Sequence, residues 1–205
     1  VPLSNAAILE AQMLMLSSHN ILNPQSGDPV TLPSQDMVLG LYYMTKGRKS
    51  TDTEVVRGEG KKFYSSEEVI IAYNENRIDM HAWIHVRTQV MNTETNELEN
   101  KLVETTVGRV LFNQVVPAEV GFINLLLTKK ALRAVISNII QTTNVPRTAN
   151  FLDDIKDLGF RWAFRGGLSF NLSDLIVPAE KTSLLDKAQT EVDEVWDNYQ
   201  MGLIT

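Results

Sequence analysis

The sequence predicts a mixed α+β fold, with helices and a small antiparallel sheet in the first half and a mainly helical second half. Residues 81–90 and 101–116 alternate between apolar and polar side chains, which is typical of half-buried strands joined as a β-hairpin. From Pro117 onward the apolar spacing changes to three and four residues, which is typical of amphipathic helices. The last helix, at about residues 179–201, has a single narrow apolar seam.

Three helices are predicted before the sheet, and the third is a short helix through Val69, Ala72 and Tyr73 that a capping box of Ser65 and Glu68 starts. Ser4 is a suitable N-cap for a helix that extends to Ser17. The apolar stripe of this helix consists of Ile8, Leu9, Met13 and Leu16. Residues 20–33 then form an irregular segment rich in Asn, Gly and Pro, longer than a usual connection and therefore typical of a functional loop. Ser34 offers an N-cap oxygen for a second helix at about Gln35–Met44.

The second half is predicted to contain three helices before the last one, at Val120–Leu126, Lys129–Thr142 and Phe151–Phe160. Pro146 breaks the pattern, and Asn150 or Asp153 is a candidate cap for the helix that follows. We expect two regions, residues 1–116 with the hairpin and residues 117–205 with these helices.

The last predicted helix is amphipathic in a way that suits a coiled coil. Its seam consists of Leu185, Ala188, Val192, Val195 and Tyr199. Its other faces carry Glu191, Asp193, Glu194 and Asp197. Because such a seam buries little unless another helix lies against it, we expect it to find another surface, such as a second copy of this chain. A helix packed on its own domain is the alternative.

Composition excludes several classes of function. With 205 residues, 43% of them hydrophobic, the chain can bury a core, and the net charge of −6 comes without a dense Lys/Arg block for nucleic-acid phosphates. Direct binding of duplex DNA is therefore not expected. The chain has no cysteine for disulfides or thiolate metal sites, and no apolar run near the roughly 20 residues that span a bilayer. These features predict a cytoplasmic protein without membrane contact.

The residues do not assemble a complete active site. His81 and His85 are predicted on the same face of a strand, about 13 Å apart and too far to share a metal, and both are expected to face solvent. Gly58–Lys62 lacks the Walker spacing, and neither a nucleophile elbow nor a zinc signature is present. A small hydrolase is therefore not supported.

Residues 20–45, reading NILNPQSGDPVTLPSQDMVLGLYYMT, closely resemble a signature of the largest (β′) subunit of bacterial DNA-directed RNA polymerase. The resemblance continues in the family's order along essentially the whole chain. Its further matches are Val1-Pro2-Leu3, Thr105-Thr106-Val107-Gly108-Arg109, Leu127-Thr128-Lys129-Lys130-Ala131 and Val177-Pro178.

The resemblance implies a part of a large transcription enzyme. Residues 1–116 would belong to the pore region and residues 117–205 to the helical funnel region around the secondary channel, where nucleotides enter. The three aspartates that hold the catalytic magnesium precede the Val-Pro-Leu motif in the family. Together with the missing initiator Met, this predicts a fragment that is inactive alone and contains no catalytic residue. The implied partners are the β, α and ω subunits, with DNA and RNA only in the intact complex.

The resemblance also implies site residues. Gln35 would lie close to the active centre; a glutamine that only caps its own helix is the alternative. The last helix resembles the first arm of the rim coiled-coil hairpin, which docks transcript-cleavage and stringent-response factors. Its acidic residues Glu191, Glu194 and Asp197 would steer basic surfaces of such factors, unless they only solvate the helix.

Asp153 matches a position of the family's alarmone site near ω. Asp157 and Asn150 stand where relatives have an aromatic and an aliphatic residue, which argues against alarmone binding here. The rival to the polymerase interpretation is an independent interaction module that docks a partner coiled coil through its C-terminal helix.

Overall fold

The computed structural model describes residues 2–91 and 98–204. These residues form seven α-helices and three β-strands, which confirms the predicted mixed α+β class. The helices are α1 Asn5–Leu14, α2 Asp36–Thr45, α3 Ser66–Asn74, α4 Val107–Phe112, α5 Lys129–Thr142, α6 Val145–Gly166 and α7 Lys181–Gln200. The strands are β1 Lys62–Phe63, β2 Trp83–Met91 and β3 Leu98–Thr106.

The chain divides into two compact units. The first ends at Gly167 and contains α1 to α6 and the sheet, whereas the second begins at Leu168 and contains α7. The core of the first unit takes buried side chains from both sides of residue 116, among them Phe112 and Phe151, whose ring centroids lie 6.5 Å apart. The division at residue 116 is therefore not a division of the core, and it stays a prediction about the pore and funnel regions.

The sheet contains the predicted hairpin. β2 and β3 pair antiparallel from Trp83 opposite Thr106 to Met91 opposite Leu98, and the short β1 adds a parallel neighbour to β2, so the sheet is mixed. Ala82, Ile84 and Val86 are fully buried, which confirms the predicted inner face. Residues 92–97 of the predicted turn lie outside the described residues.

The second predicted strand ends earlier than expected. It was predicted to reach Val116, but β3 stops at Thr106, whose side-chain oxygen accepts from the backbone N–H of Arg109 and caps α4. All six residues of α4 are buried. A short segment that is buried on every side has no periodicity that separates a helix from a strand, and the alternation of residues 107–111 was therefore misleading.

The start of α6 also differs from the prediction. Neither Asn150 nor Asp153 caps it; the cap is Asn144, whose side-chain oxygen accepts from the backbone N–H of Arg147 at 3.0 Å. Pro146 therefore lies in the first turn, where its missing N–H removes no helical hydrogen bond. The predicted break at this proline is the beginning of a 22-residue helix.

The predicted helix at Val120–Leu126 is wrong. Only a 3-10 turn at Ala118–Val120 forms, and Gly121 follows it with a φ of 79°. A left-handed residue does not continue a helix, so the chain reaches the cap of α5 at Thr128 through an irregular segment. α5 itself is confirmed, with Leu132, Val135, Ile136 and Ile139 buried.

Helix α2 is held by direct backbone contact with two other helices. A Cβ built on Gly40 would lie 1.9 Å from the carbonyl oxygen of Gly159 in α6. A Cβ built on Gly108 in α4 would lie 1.8 Å from the carbonyl oxygen of Met44. No side chain fits at such distances, and the three helices can approach this closely only because both positions are glycine.

We expect Gly40→Ala to destabilise the protein by at least about 2 kcal/mol, because the added methyl group forces α2 and α6 apart. In an exposed helix the same change would stabilise by up to about 1 kcal/mol, so the sign of the effect is informative. The measurement is urea unfolding followed by circular dichroism. Gly60→Ala is the control, since its Cβ meets open space and only the left-handed φ opposes it, at about 1 kcal/mol. Equal losses for the two variants would contradict the contact.

Candidate functional site

The first residue of interest is Gln35, which precedes α2 in a strained conformation. Its φ is 50° and its ψ is −122°, a region that residues other than glycine rarely occupy and that costs on the order of 1–3 kcal/mol. Its side chain is exposed and makes no capping hydrogen bond. Ser34 does not cap α2 with its side chain either, contrary to the prediction, because the turn at Gln35 places Ser34 outside the helix, where only its carbonyl accepts, from Met37.

Gln35 lines a cavity of about 430 Å³ between the start of α2 and the start of α5. The lining residues are Ser34, Gln35, Val38, Leu39, Tyr42, Thr128 and Lys129. Lys129 is the one charged residue among them. The cavity therefore combines an amide, which donates and accepts, with an ammonium group that favours anions.

The far end of α2 is fixed by the buried guanidinium of Arg109. Its Nε donates to the carbonyl oxygen of Thr45 at 3.2 Å, and a terminal nitrogen donates to Oδ1 of Asn124 at 2.8 Å. Its Cζ lies 5.1 Å from the centroid of the Trp83 ring. Burial lowers the pKa of Arg109, and within the described ranges no carboxylate forms an ion pair with it. Neutral oxygens and an aromatic face take the place of a counter-ion.

The same group of side chains aligns α5 with α2. Oγ1 of Thr45 donates to the carbonyl of Leu41 at 2.8 Å and accepts from the backbone N–H of Leu127 at 3.1 Å. Asn124 continues the group by donating to the carbonyl of Glu104 at 2.8 Å. Leu127 immediately precedes Thr128 and Lys129, which line the cavity beside Gln35. The hydrogen bond from the Leu127 N–H to Thr45 therefore fixes the chain at this cavity. The roles of Thr45, Asn124 and Arg109 were not predicted from the sequence. Residue 109 was assigned to a strand, and its contacts with Thr45 and Asn124 were therefore not expected.

His81 and His85 were predicted to face solvent, and this prediction is wrong. His81 is 9% exposed and lies before β2; its Nδ1 is 2.7 Å from the carbonyl of Lys46, and its ring meets that of Tyr43 edge to face. His85 is half-buried in β2. The prediction failed because the Lys46 to Arg48 segment folds over His81, with the Arg48 N–H donating to the His81 carbonyl at 2.8 Å. Such a long-range contact leaves no periodic signal in the sequence.

The predicted partner-binding residues all lie on α7 of the second unit. Every residue of this helix, all of which are described, is exposed. The seam consists of Ala188 and four large side chains. The exposed fractions of these four are 55–59%: Leu185, Val192, Val195 and Tyr199. Glu191, Glu194 and Asp197 are exposed on adjoining faces. The structure thus places these residues on one accessible helix, and their role in binding stays a prediction.

Asp153 lies on the outer face of α6. Its carboxylate accepts from Lys156 at 3.2 Å, and Asp157 lies 3.6 Å from the same ammonium group. Both side chains are mostly exposed. Such an ion pair between side chains one helical turn apart is a common surface feature.

The described residues offer no candidate metal centre, since no three His, Asp or Glu side chains among them converge. Of the helices in the described ranges, none is long and apolar enough to cross a membrane.

Comparison with known proteins identifies the class. The family model described as RNA polymerase Rpb1, domain 3, matches residues 20–175, and the chain belongs to this family. The matched range contains Gln35, Thr45, Arg109 and Asn124, whereas α7 lies outside it. The resemblance to RNA polymerase that was found in residues 20–45 is confirmed.

The relatives name the particular protein that this chain is similar to. All 205 residues match DNA-directed RNA polymerase subunit beta′ from Karelsulcia muelleri at 58% identity, and the subunits from Flavobacterium johnsoniae and Parabacteroides distasonis at 55%. The chain spans about 14% of the length of each of these curated relatives.

We expect stability to fall as the pH is lowered below about 6.5, because burial lowers the pKa of His81 in the folded protein. The unfolded chain then binds a proton that the folded chain does not, so acid favours unfolding. The measurement is the urea midpoint at about pH 7.5 and 5.5. His81→Gln should flatten this dependence above pH 5. An equally steep dependence in the variant would show that another group is responsible.

Proposed function

We propose that this chain is a non-catalytic part of a bacterial DNA-directed RNA polymerase β′ subunit and forms a wall of the secondary channel. The observation that carries the proposal is the match of all 205 residues to β′ subunits at 55–58% identity. The intact enzyme would be a nucleotidyltransferase that works with the β, α and ω subunits and with DNA and RNA.

In this proposal Gln35 is the residue nearest to the reacting nucleotides. Its exposed amide, the strained backbone and Lys129 across the cavity support this role, because strain persists where a structure needs a particular orientation. The rigid attachment of α2 to α4, α5 and α6 supports it further, since positioning groups act best on rigid elements. Gln35 would orient a nucleotide or a mobile element through its amide.

The magnesium of the intact enzyme would lie outside this chain. The ion supplies charge stabilisation for phosphoryl transfer when bound. The described residues of this chain would instead shape the approach to the centre, and we expect the purified chain to synthesise no RNA.

Helix α7 would act as a docking element for secondary-channel factors. Its exposed seam offers apolar area to a partner helix, and Glu191, Glu194 and Asp197 provide negative charge that speeds the encounter with a basic surface. The exposure of α7 also suits an independent interaction module. That alternative does not account for the similarity of the 185 residues outside α7 to β′ subunits.

Gln35 is tested by Gln35→Gly in an assembled polymerase whose β′ subunit carries this chain. The variant removes the amide and relieves the positive φ, so the protein should be at least as stable while RNA synthesis slows by about tenfold, or about 1.4 kcal/mol. The measurement is nucleotide addition on a fixed template. Gln25→Ala, an exposed glutamine in the preceding segment, is the matched control. An unchanged rate for Gln35→Gly would rule out the positioning role.

The docking role is tested by the triple variant Glu191→Lys, Glu194→Lys and Asp197→Lys in the same polymerase. We expect association of a transcript-cleavage factor to slow by about tenfold at low salt, with the difference shrinking at high salt as charges are screened. Stopped-flow binding measures this, and synthesis without the factor should not change. A control variant with Glu10→Lys, Asp52→Lys and Glu67→Lys, which are exposed positions outside α7, changes the net charge by the same amount. Equal association for the triple variant and the control would contradict the proposal.

A further inference from the structure

A second cavity, of about 710 Å³, lies in the first unit and has a lining different from that of the Gln35 cavity. Residues from the segment after α2, the end of α3 and the end of α6 surround it. The volume falls within the range of about 300–1,000 Å³ that is usual for small-molecule sites. We refer to it as the His81 cavity.

The floor of the His81 cavity is buried and contains aromatic rings. Ile78, Met80 and Trp162 are 2–8% exposed, and His81 is 9% exposed. Tyr43 and Tyr73 are half-buried beside them, and the rings of Tyr73 and Trp162 lie 6.3 Å apart. Such a floor favours a ligand with a planar ring over a bare ion.

His81 contributes an unused acceptor to this floor. Its Nδ1 must donate, because its partner at 2.7 Å is the carbonyl of Lys46. Burial lowers the pKa of His81, so Nε2 carries no proton near neutral pH. Nε2 is buried and has no hydrogen-bond partner among the described residues.

The rim of the His81 cavity is cationic although the chain as a whole carries a net charge of −6. Arg57 is committed to Asp79 at 3.0 Å. Arg48 and Arg165 form no ion pair within the described residues, and the Cζ of Arg165 lies 5.5 Å from the centroid of the Trp162 ring. Two free guanidinium groups at one rim suit a phosphate group. Glu54 is also exposed at the rim and opposes an anion there.

We propose that the His81 cavity binds a nucleoside phosphate, with the phosphate at Arg48 and Arg165 and the base against the aromatic floor. The aromatic side chains of the floor and the two arginines without an ion pair support the proposal together. It does not depend on the channel role of Gln35 or on the docking role of α7, and it can fail while both of these hold.

The test is calorimetric titration of the 205-residue chain with AMP, inorganic phosphate and adenosine. AMP should bind more tightly than either half alone, and it should shift the indole N–H resonance of Trp162 while leaving that of Trp196 unchanged. Arg48→Gln and Arg165→Gln should each weaken AMP binding by about tenfold, and Glu54→Gln should tighten it by about two- to threefold. Circular dichroism checks that each variant is folded.

Arg161→Gln is the matched control, since Arg161 is an exposed arginine one turn before Arg165 on α6 and does not line the cavity. It should leave AMP binding unchanged. The proposal is overturned if AMP does not bind at millimolar concentration, or if phosphate alone binds as tightly as AMP. A loss for Arg161→Gln equal to that for Arg165→Gln would also overturn it, because the attraction would then be non-specific.

Discussion

The hydrogen bond from Arg109 to the carbonyl of Thr45 joins the parts of the first unit that are far apart in sequence. It connects the C-terminal end of α2 to α4, and through Asn124 and Leu127 the same group reaches the start of α5. A buried guanidinium is costly to desolvate unless its donors are used, so the carbonyl and amide oxygens around it must stay in place. The arrangement of α2, α4 and α5 therefore depends on one arginine without a carboxylate partner among the described residues.

The rigidity that results is what gives Gln35 a defined direction. The two glycine contacts fix α2 sideways against α4 and α6, and the Arg109 group fixes its C-terminal end. The N-terminal end then has little freedom, and the strained backbone of Gln35 can persist because its surroundings determine it. A loop residue in the same conformation would relax. The chain thus holds an exposed amide on a rigid helix beside a lysine.

The sequence predicted those elements whose signals are local. The caps at Ser4 and Ser65, the inner face of β2 and the apolar face of α5 follow from short spacings, and the structure contains them. The failures share a physical cause. α4 is buried on every side, His81 is covered by a segment 35 residues away, and the group around Arg109 joins residues up to 82 positions apart. Contacts between distant segments determine these features, and a pattern in a window of 10 to 20 residues does not contain them.

The contrast between α4 and α7 has a consequence for how the chain opens. The amides of α4 lie in a helix whose six residues are all buried, so they exchange with solvent only when the first unit unfolds as a whole. Helix α7 buries none of its described residues, and helices in proteins owe most of their stability to the packing of an apolar face against other elements. Its backbone therefore frays on its own, and proteases gain access to it first. Any surface that covers the seam would convert this labile helix into a protected one, so protection of the α7 backbone is a direct measure of occupancy.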